Sequence, residues 1–238
     1  MVKRRVGLIL PSVNIHVEPE FYQLKDTLPQ INYFTTRVML TDTTEETLVE
    51  MRKGLDVAVE LIKTVYPEVV AFACTSGSFI KGPEGDAWIM GKIEEACKCP
   101  AITASKAMAN AINAMGIKKL TLVTPYTDDI NMQEKRYIES MGVEVVAMKG
   151  LQIVDAETLR TGTREQMMEL VYSADVPQSD GIFISCTNVE GMYIAGELEE
   201  KLNKPVISSN SAMLWSILNI LGDKTPVHGC GRLLERPV

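Results

Sequence analysis

Short apolar runs alternate with longer amphipathic stretches along the whole chain. Val6-Gly7-Leu8-Ile9-Leu10 is ended by Pro11 and reads as a buried strand. Residues 18–28 read as a helix stopped by Pro29, and residues 32–40 as a strand rich in β-favouring side chains. In residues 44–65, Leu48, Met51, Leu55, Val59 and Ile62 recur at steps of three and four behind a capping Thr44, which predicts one helix. A strand at 69–74, a helix at 85–97, a brief strand at 101–103 and a small-residue helix at 105–115, closed by Gly116, complete the first half. The order then repeats. Strands are expected at 120–124, 143–148, 181–186 and 205–208, and helices at 129–141, 163–174, 195–202 and 211–221.

This alternation predicts an α/β protein with parallel sheets and helices on both faces. The expected fold is two pseudo-symmetric, flavodoxin-like halves, each a parallel four-stranded sheet, with the active site in the cleft between them. Residues 1–116 would form the first half and 117–209 the second, with the last helix and tail, 210–238, packing back on the first.

At 238 residues, 46% hydrophobic and 23% charged, the chain has the composition of an ordinary globular protein. A net charge of −7 argues against broad nucleic-acid binding but leaves room for a local anion site. No apolar stretch approaches a membrane span, and the run after Lys3-Arg4-Arg5 is too short for a signal-peptide core, so a cytoplasmic protein is expected. The five cysteines are odd in number and are expected to be reduced. Cys97 and Cys99 have no second ligand pair nearby, and His16 and His228 are far apart, so no metal site is expected. Cys230 has no evident partner. No glycine pattern matches a dinucleotide or nucleotide phosphate loop: Gly82 is followed by Pro83.

The candidate chemistry lies in two similar segments about half a chain apart. Val69-Val70-Ala71-Phe72 leads into Ala73-Cys74-Thr75-Ser76, and Gly181-Ile182-Phe183-Ile184 leads into Ser185-Cys186-Thr187-Asn188. Each is a strand end before a helix, the place where open α/β sheets bind ligands. A strand-end cysteine can be merely a small buried hydrophobe. A matching pair in matching halves favours function: one thiol attacks or deprotonates, the other protonates, and their ionisations are coupled. At the first strand's exit, Ser12 and Asn14 can either hydrogen-bond a carboxylate or cap the following helix. Tyr126, at the equivalent exit, can aim its hydroxyl at an anion or simply pack. Thr75, Ser76 and Asn188 flank the thiols as further donors. The run 208–211 reads as a helix cap rather than an anion nest.

Together these motifs resemble the aspartate/glutamate racemase superfamily, in the branch of maleate cis-trans isomerases, arylmalonate decarboxylases and ectoine-utilisation proteins. The resemblance runs over essentially the whole chain. It rests on Pro11-Ser12-x-Asn14 with Glu18-Pro19-Glu20, on the two Cys-Thr motifs, and on residues 205–215. It implies a cofactor-independent isomerase acting on a small carboxylic acid, with Cys74 as nucleophile and Cys186 as proton donor. It further implies that Ser12, Asn14, Thr75, Ser76, Tyr126, Thr187 and Asn188 bind substrate, that no metal or organic cofactor is used, and that the chain forms a homodimer. The decarboxylases of the branch carry glycine at the position of Cys74 and lack a match to Asn14, and this chain departs from them in both. The readings left open beside isomerisation are amino-acid or hydantoin racemisation by the same thiol pair, decarboxylation of a malonate, and non-catalytic binding of an acid.

Overall fold

The computed structural model describes residues 3–155, 158 and 164–235. The predicted helix start at Thr163 and the tail residues 236–238 lie outside these.

The first half runs β1 (Arg4–Pro11), α1 (Val17–Tyr22), β2 (Ile31–Val38), α2 (Glu45–Met51), α3 (Leu55–Ile62), β3 (Val69–Phe72), α4 (Thr75–Phe79), α5 (Gly82–Cys97), β4 (Ala101–Thr103) and α6 (Ala104–Ala114). The second runs β5 (Lys119–Thr124), α7 (Asp128–Glu139), β6 (Glu144–Gly150), α8 (Arg164–Ala174), β7 (Gly181–Ile184), α9 (Met192–Leu202), β8 (Val206–Ser208) and α10 (Ser209–Leu221), followed by α11 (Arg232–Glu235). Each half holds one parallel four-stranded sheet, ordered β2-β1-β3-β4 and β6-β5-β7-β8. All residues of β3 and β7 are buried, as befits central parallel strands covered on both faces. In each sheet the strand order reverses between the first and third strands, and a crevice opens there at the carboxyl ends. Both cysteines stand at that switch point.

Three elements differ from the expectation. The helix predicted over 44–65 is interrupted by a 3₁₀ turn at Arg52–Gly54, where glycine has little helix propensity, and ends in a second 3₁₀ turn. The helix predicted over 18–28 is regular only to Tyr22, and residues 23–27, which include the turn-formers Asp26 and Thr27, form turns. The five-residue α4 directly after Cys74 was not anticipated, because Thr75-Ser76-Gly77-Ser78 carries no apolar periodicity.

The halves are tied together where their strand ends meet. α10 packs along α6 and also touches β3 and β4. Its residues Ser209 to Leu218 are all buried, so it serves as a shared core helix. Polar clasps cross the same seam. The Ile15 N–H donates to Asn188 Oδ1 at 2.8 Å, the Asn188 amide donates to Val13 O, and the Thr43 N–H donates to Val154 O.

Candidate active site

β3 delivers Cys74 in extended conformation, with φ −142°, as the N-cap of α4, and its sulfur accepts the Gly77 N–H at 3.4 Å. Gly77 must lack a side chain, because a Cβ there would stand 2.9 Å from that sulfur and collide with Met51. The Ser76 hydroxyl lies 3.9 Å from the same sulfur. Cys186 is held differently. Its φ is +98°, a conformation unfavourable for a residue with a Cβ and one that persists only when surroundings enforce it. The enforcing contacts are the Cys186 N–H donating to Ser209 Oγ at 3.1 Å, the Asn188 N–H donating to the Cys186 sulfur at 3.3 Å, and the Ser185 N–H donating to Val123 O.

Both thiols line one narrow cavity of about 20 Å³, large enough for a water. Thr75, Ser76, Tyr126, Thr187 and Asn188 line it as well, Pro11, Val13 and Leu40 form an apolar wall, and Asp42 and Thr43 close one side. Tyr126 is buried, and its hydroxyl is close enough to Cys186 for each to shift the other's ionisation and to feel charge on Cys74. Burial pushes both thiols up, Cys74 to about 11 and Cys186 to about 12. Hydrogen bonds from Gly77 and Ser76 counter this at Cys74, and bonds from Tyr126 and Asn188 counter it at Cys186. Charge on Cys74 also raises Cys186, so the pair titrates as a coupled unit. At neutral pH the resting site holds two thiols.

The remaining residues singled out from the sequence divide into two groups. Ser12 and Asn14 do not reach the cavity. The Ser12 hydroxyl donates to Leu40 O and accepts the Leu40 N–H. Asn14 caps the start of α1, its Oδ1 accepting from the His16 and Val17 N–H groups, while its amide donates to Thr187 Oγ1. Both side chains are hydrogen-bonded to the protein here, and Asn14 reaches the cavity lining through Thr187. Thr75, Thr187 and Asn188 line the cavity, yet their side chains are committed to the protein. Thr75 donates to Ser209 Oγ at 2.9 Å, Thr187 donates to Ala73 O at 2.9 Å, and Asn188 spans Ile15 and Val13. The hydroxyls of Ser76 and Tyr126 lie against the sulfurs and complete the donor set.

Four site-supporting residues were not assigned from the sequence. Ser208 caps α10 with a full capping box, as expected, but the next two residues do more. Ser209 bridges the two cysteine loops by accepting from Thr75 and from the Cys186 N–H. Asn210 donates to Thr187 O and to Glu20 Oε2 at 2.5 Å. Glu20 is buried, accepts the Gly191 and Met192 N–H groups, and is pushed up to about 7 by burial. Glu134 is fully buried on α7 and accepts the Ser185 hydroxyl at 2.6 Å. A run of four small polar residues is longer than a cap requires, and an acid sits on α7's apolar stripe of Ile130, Tyr137 and Ile138. Those were the signals available in the sequence.

Among the described residues, no cluster of His, Cys, Asp or Glu could hold a metal, and no helix is long and apolar enough to cross a membrane. Cys97, Cys99 and Cys230 are free thiols outside the cavity lining.

The fold is two parallel α/β halves, each presenting a thiol at its switch point to one shared cavity. The comparisons supply the class. The arylmalonate decarboxylase family model matches residues 6–234, and the chain belongs to that family. It is 26% identical to the maleate isomerase of Nocardia farcinica, over 98% of this chain and 96% of that protein. It is 27% identical to the maleate isomerase of Geobacillus stearothermophilus, over 97% of each. A structure of a Nocardia farcinica maleate cis-trans isomerase, a cysteine-to-serine mutant with a covalently bound succinylcysteine intermediate, superposes with a TM-score of 0.93 at 25% identity, covering 98% of each chain. Within the family, the chain is an isomerase that works through cysteine.

Proposed function

We propose that the chain isomerises a small cis-unsaturated dicarboxylic acid to its trans form, with maleate as the first candidate, Cys74 as nucleophile and Cys186 as proton donor. The observation that carries this reading is the convergence of two thiols, one from each half, on a single narrow cavity beside the Tyr126 hydroxyl. The covalent succinylcysteine of the Nocardia enzyme supports it.

In the reactive form Cys74 is the thiolate and Cys186 the thiol. The Cys74 sulfur bonds to one alkene carbon, and the π electrons shift toward the carboxylate on the other carbon. Cys186 gives its proton to that second carbon and becomes the thiolate. The former double bond is now single and rotates. Cys186 then takes the proton back, the carbon–sulfur bond breaks, and the trans double bond forms with both sulfurs restored. Covalent addition replaces one difficult bond rotation with two easier steps. The Ser76 and Tyr126 hydroxyls hold carboxylate oxygens and stabilise charge pushed onto them. Thr75, Thr187 and Asn188 shape the pocket through their bonds to the protein. The apolar wall of Pro11, Val13 and Leu40 limits the length of the acid.

Proton NMR with maleate in deuterated water tests this directly. The parent protein is expected to yield the trans acid, Cys74→Ala to abolish turnover, and Cys186→Ala to lower it by about 10²–10⁴-fold. No turnover of maleate, with deuterium entering the α-carbon of aspartate or glutamate instead, would replace isomerisation with racemisation.

A further inference from the structure

The two cysteine segments are repeats, but their supports are not. Ala73 precedes Cys74, and no side-chain polar group stands there. Ser185 precedes Cys186, and its hydroxyl reaches across to Glu134 on α7 at 2.6 Å. Glu134 is fully buried, and its second oxygen, Oε2, makes no hydrogen bond among the described residues. A leucine or methionine would fill this volume without the cost of burying a half-satisfied acid. Among the described residues, no acid is hydrogen-bonded to Ala73, the residue ahead of the other thiol.

We propose that Glu134 is a positioning acid for the Cys186 half of the site, anchoring Ser185 directly ahead of the strained cysteine and setting, by its own protonation state, how readily Cys186 releases its proton. The proposal rests on the proton-donor role assigned to Cys186 above.

The surroundings of Glu134 favour this. Charge on Glu134 is felt by Tyr126 and by Cys186, both of which are acids. α4, which packs on α7, brings Cys74, and charge on that thiol reaches the same tyrosine and the same Cys186. From β6, Lys149 is turned away to Ser173. From α5, Asp86 is occupied by Thr103 and Tyr137. On α7 itself, Lys135 pairs with Glu139. Among the described residues no cation pairs with Glu134, and burial pushes it up to about 8, which favours the protonated acid. A neutral Glu134 lets Cys186 pass through its thiolate without a second buried anion beside it. Once Glu134 ionises, that thiolate is opposed and the proton stays on sulfur.

The test reads Cys186 directly and does not depend on identifying the substrate. In a Cys74→Ser background, alkylation of Cys186 by iodoacetamide is followed by peptide mass spectrometry from pH 6.5 to 10. The log rate is expected to rise with pH and then bend downward near the ionisation of Glu134. With Glu134→Gln added, which keeps an acceptor for Ser185 but cannot ionise, the bend disappears and Cys186 reacts several-fold faster above it. Ser185→Ala provides a second arm. Loss of its hydrogen bond destabilises the Glu134 carboxylate and moves the bend to higher pH. Coincident profiles for the background and Glu134→Gln, or an unmoved bend in Ser185→Ala, would overturn the proposal. If maleate is not turned over, the functional reading fails separately, and the labelling result still stands.

Discussion

Cys186 and Tyr126 carry the sharpest constraints at the level of single residues. Cys186 adopts a φ of +98° because Ser209, Asn188 and Val123 each take or give a hydrogen bond that fixes it there. That backbone turns its sulfur toward the Tyr126 hydroxyl. Tyr126→Phe removes the one phenolic donor in the cavity while preserving the ring's packing on Phe79. Turnover is expected to fall by about 10²–10³-fold, as for loss of one preorganised donor. Thermal stability should shift by no more than about 1 kcal/mol. Steady-state kinetics together with a melting curve distinguish this from general unfolding.

At the level of elements, the interruption between α2 and α3 and the placement of α10 matter most. Gly54 sits at φ −76°, ψ −9°, a conformation any residue can adopt, and a Cβ there would meet Val38 only at an ordinary 3.7 Å. Gly54→Ala is therefore expected to stabilise the protein by about 0.5–1 kcal/mol, through higher helix propensity and a less flexible unfolded chain. Equilibrium unfolding in urea measures this, and activity should be unchanged. α10 has a different part. Its cap residue Ser208 only begins the helix, whereas Ser209 and Asn210 hold the two cysteine loops and Glu20 in place. The helix that closes the second sheet is also the support beneath both thiols.

Across the whole molecule, buried acids make stability depend on pH. Glu20 is raised to about 7, Glu134 to about 8, and Asp86 and Glu199 are raised as well, all chiefly by burial. For each group the unfolded chain releases its proton near the ordinary pKa of about 4.3 for Glu or 3.9 for Asp, while the fold retains it to higher pH. Their contribution is therefore fully present below those ordinary values and declines as pH rises through the folded ones. The melting temperature is expected to be lower at pH 9 than at pH 5.5, by roughly 2–4 °C for each kcal/mol lost in a chain of this size. Glu134→Gln should flatten the upper part of that decline. A melting temperature that rises steadily to pH 9 would contradict the upward shift of these buried acids.

The alternation of strands and helices, the two-half organisation and the paired thiols were all legible in the sequence. Each depends on local periodicity or on repetition within the chain, and neither requires knowledge of distant neighbours. The partners of the polar side chains were not legible. Asn14 meets Thr187, Glu20 meets Asn210, and Ser185 meets Glu134 across long stretches of chain. Which hydroxyls face a ligand and which hold the protein together is therefore decided by how the halves dock. The sequence by itself determined that two sulfurs would stand at equivalent strand ends. Only the tertiary structure decided that they share one cavity and that the buried Glu134 stands behind Ser185 at one of them, because burial and hydrogen-bond partners are properties of the packed halves.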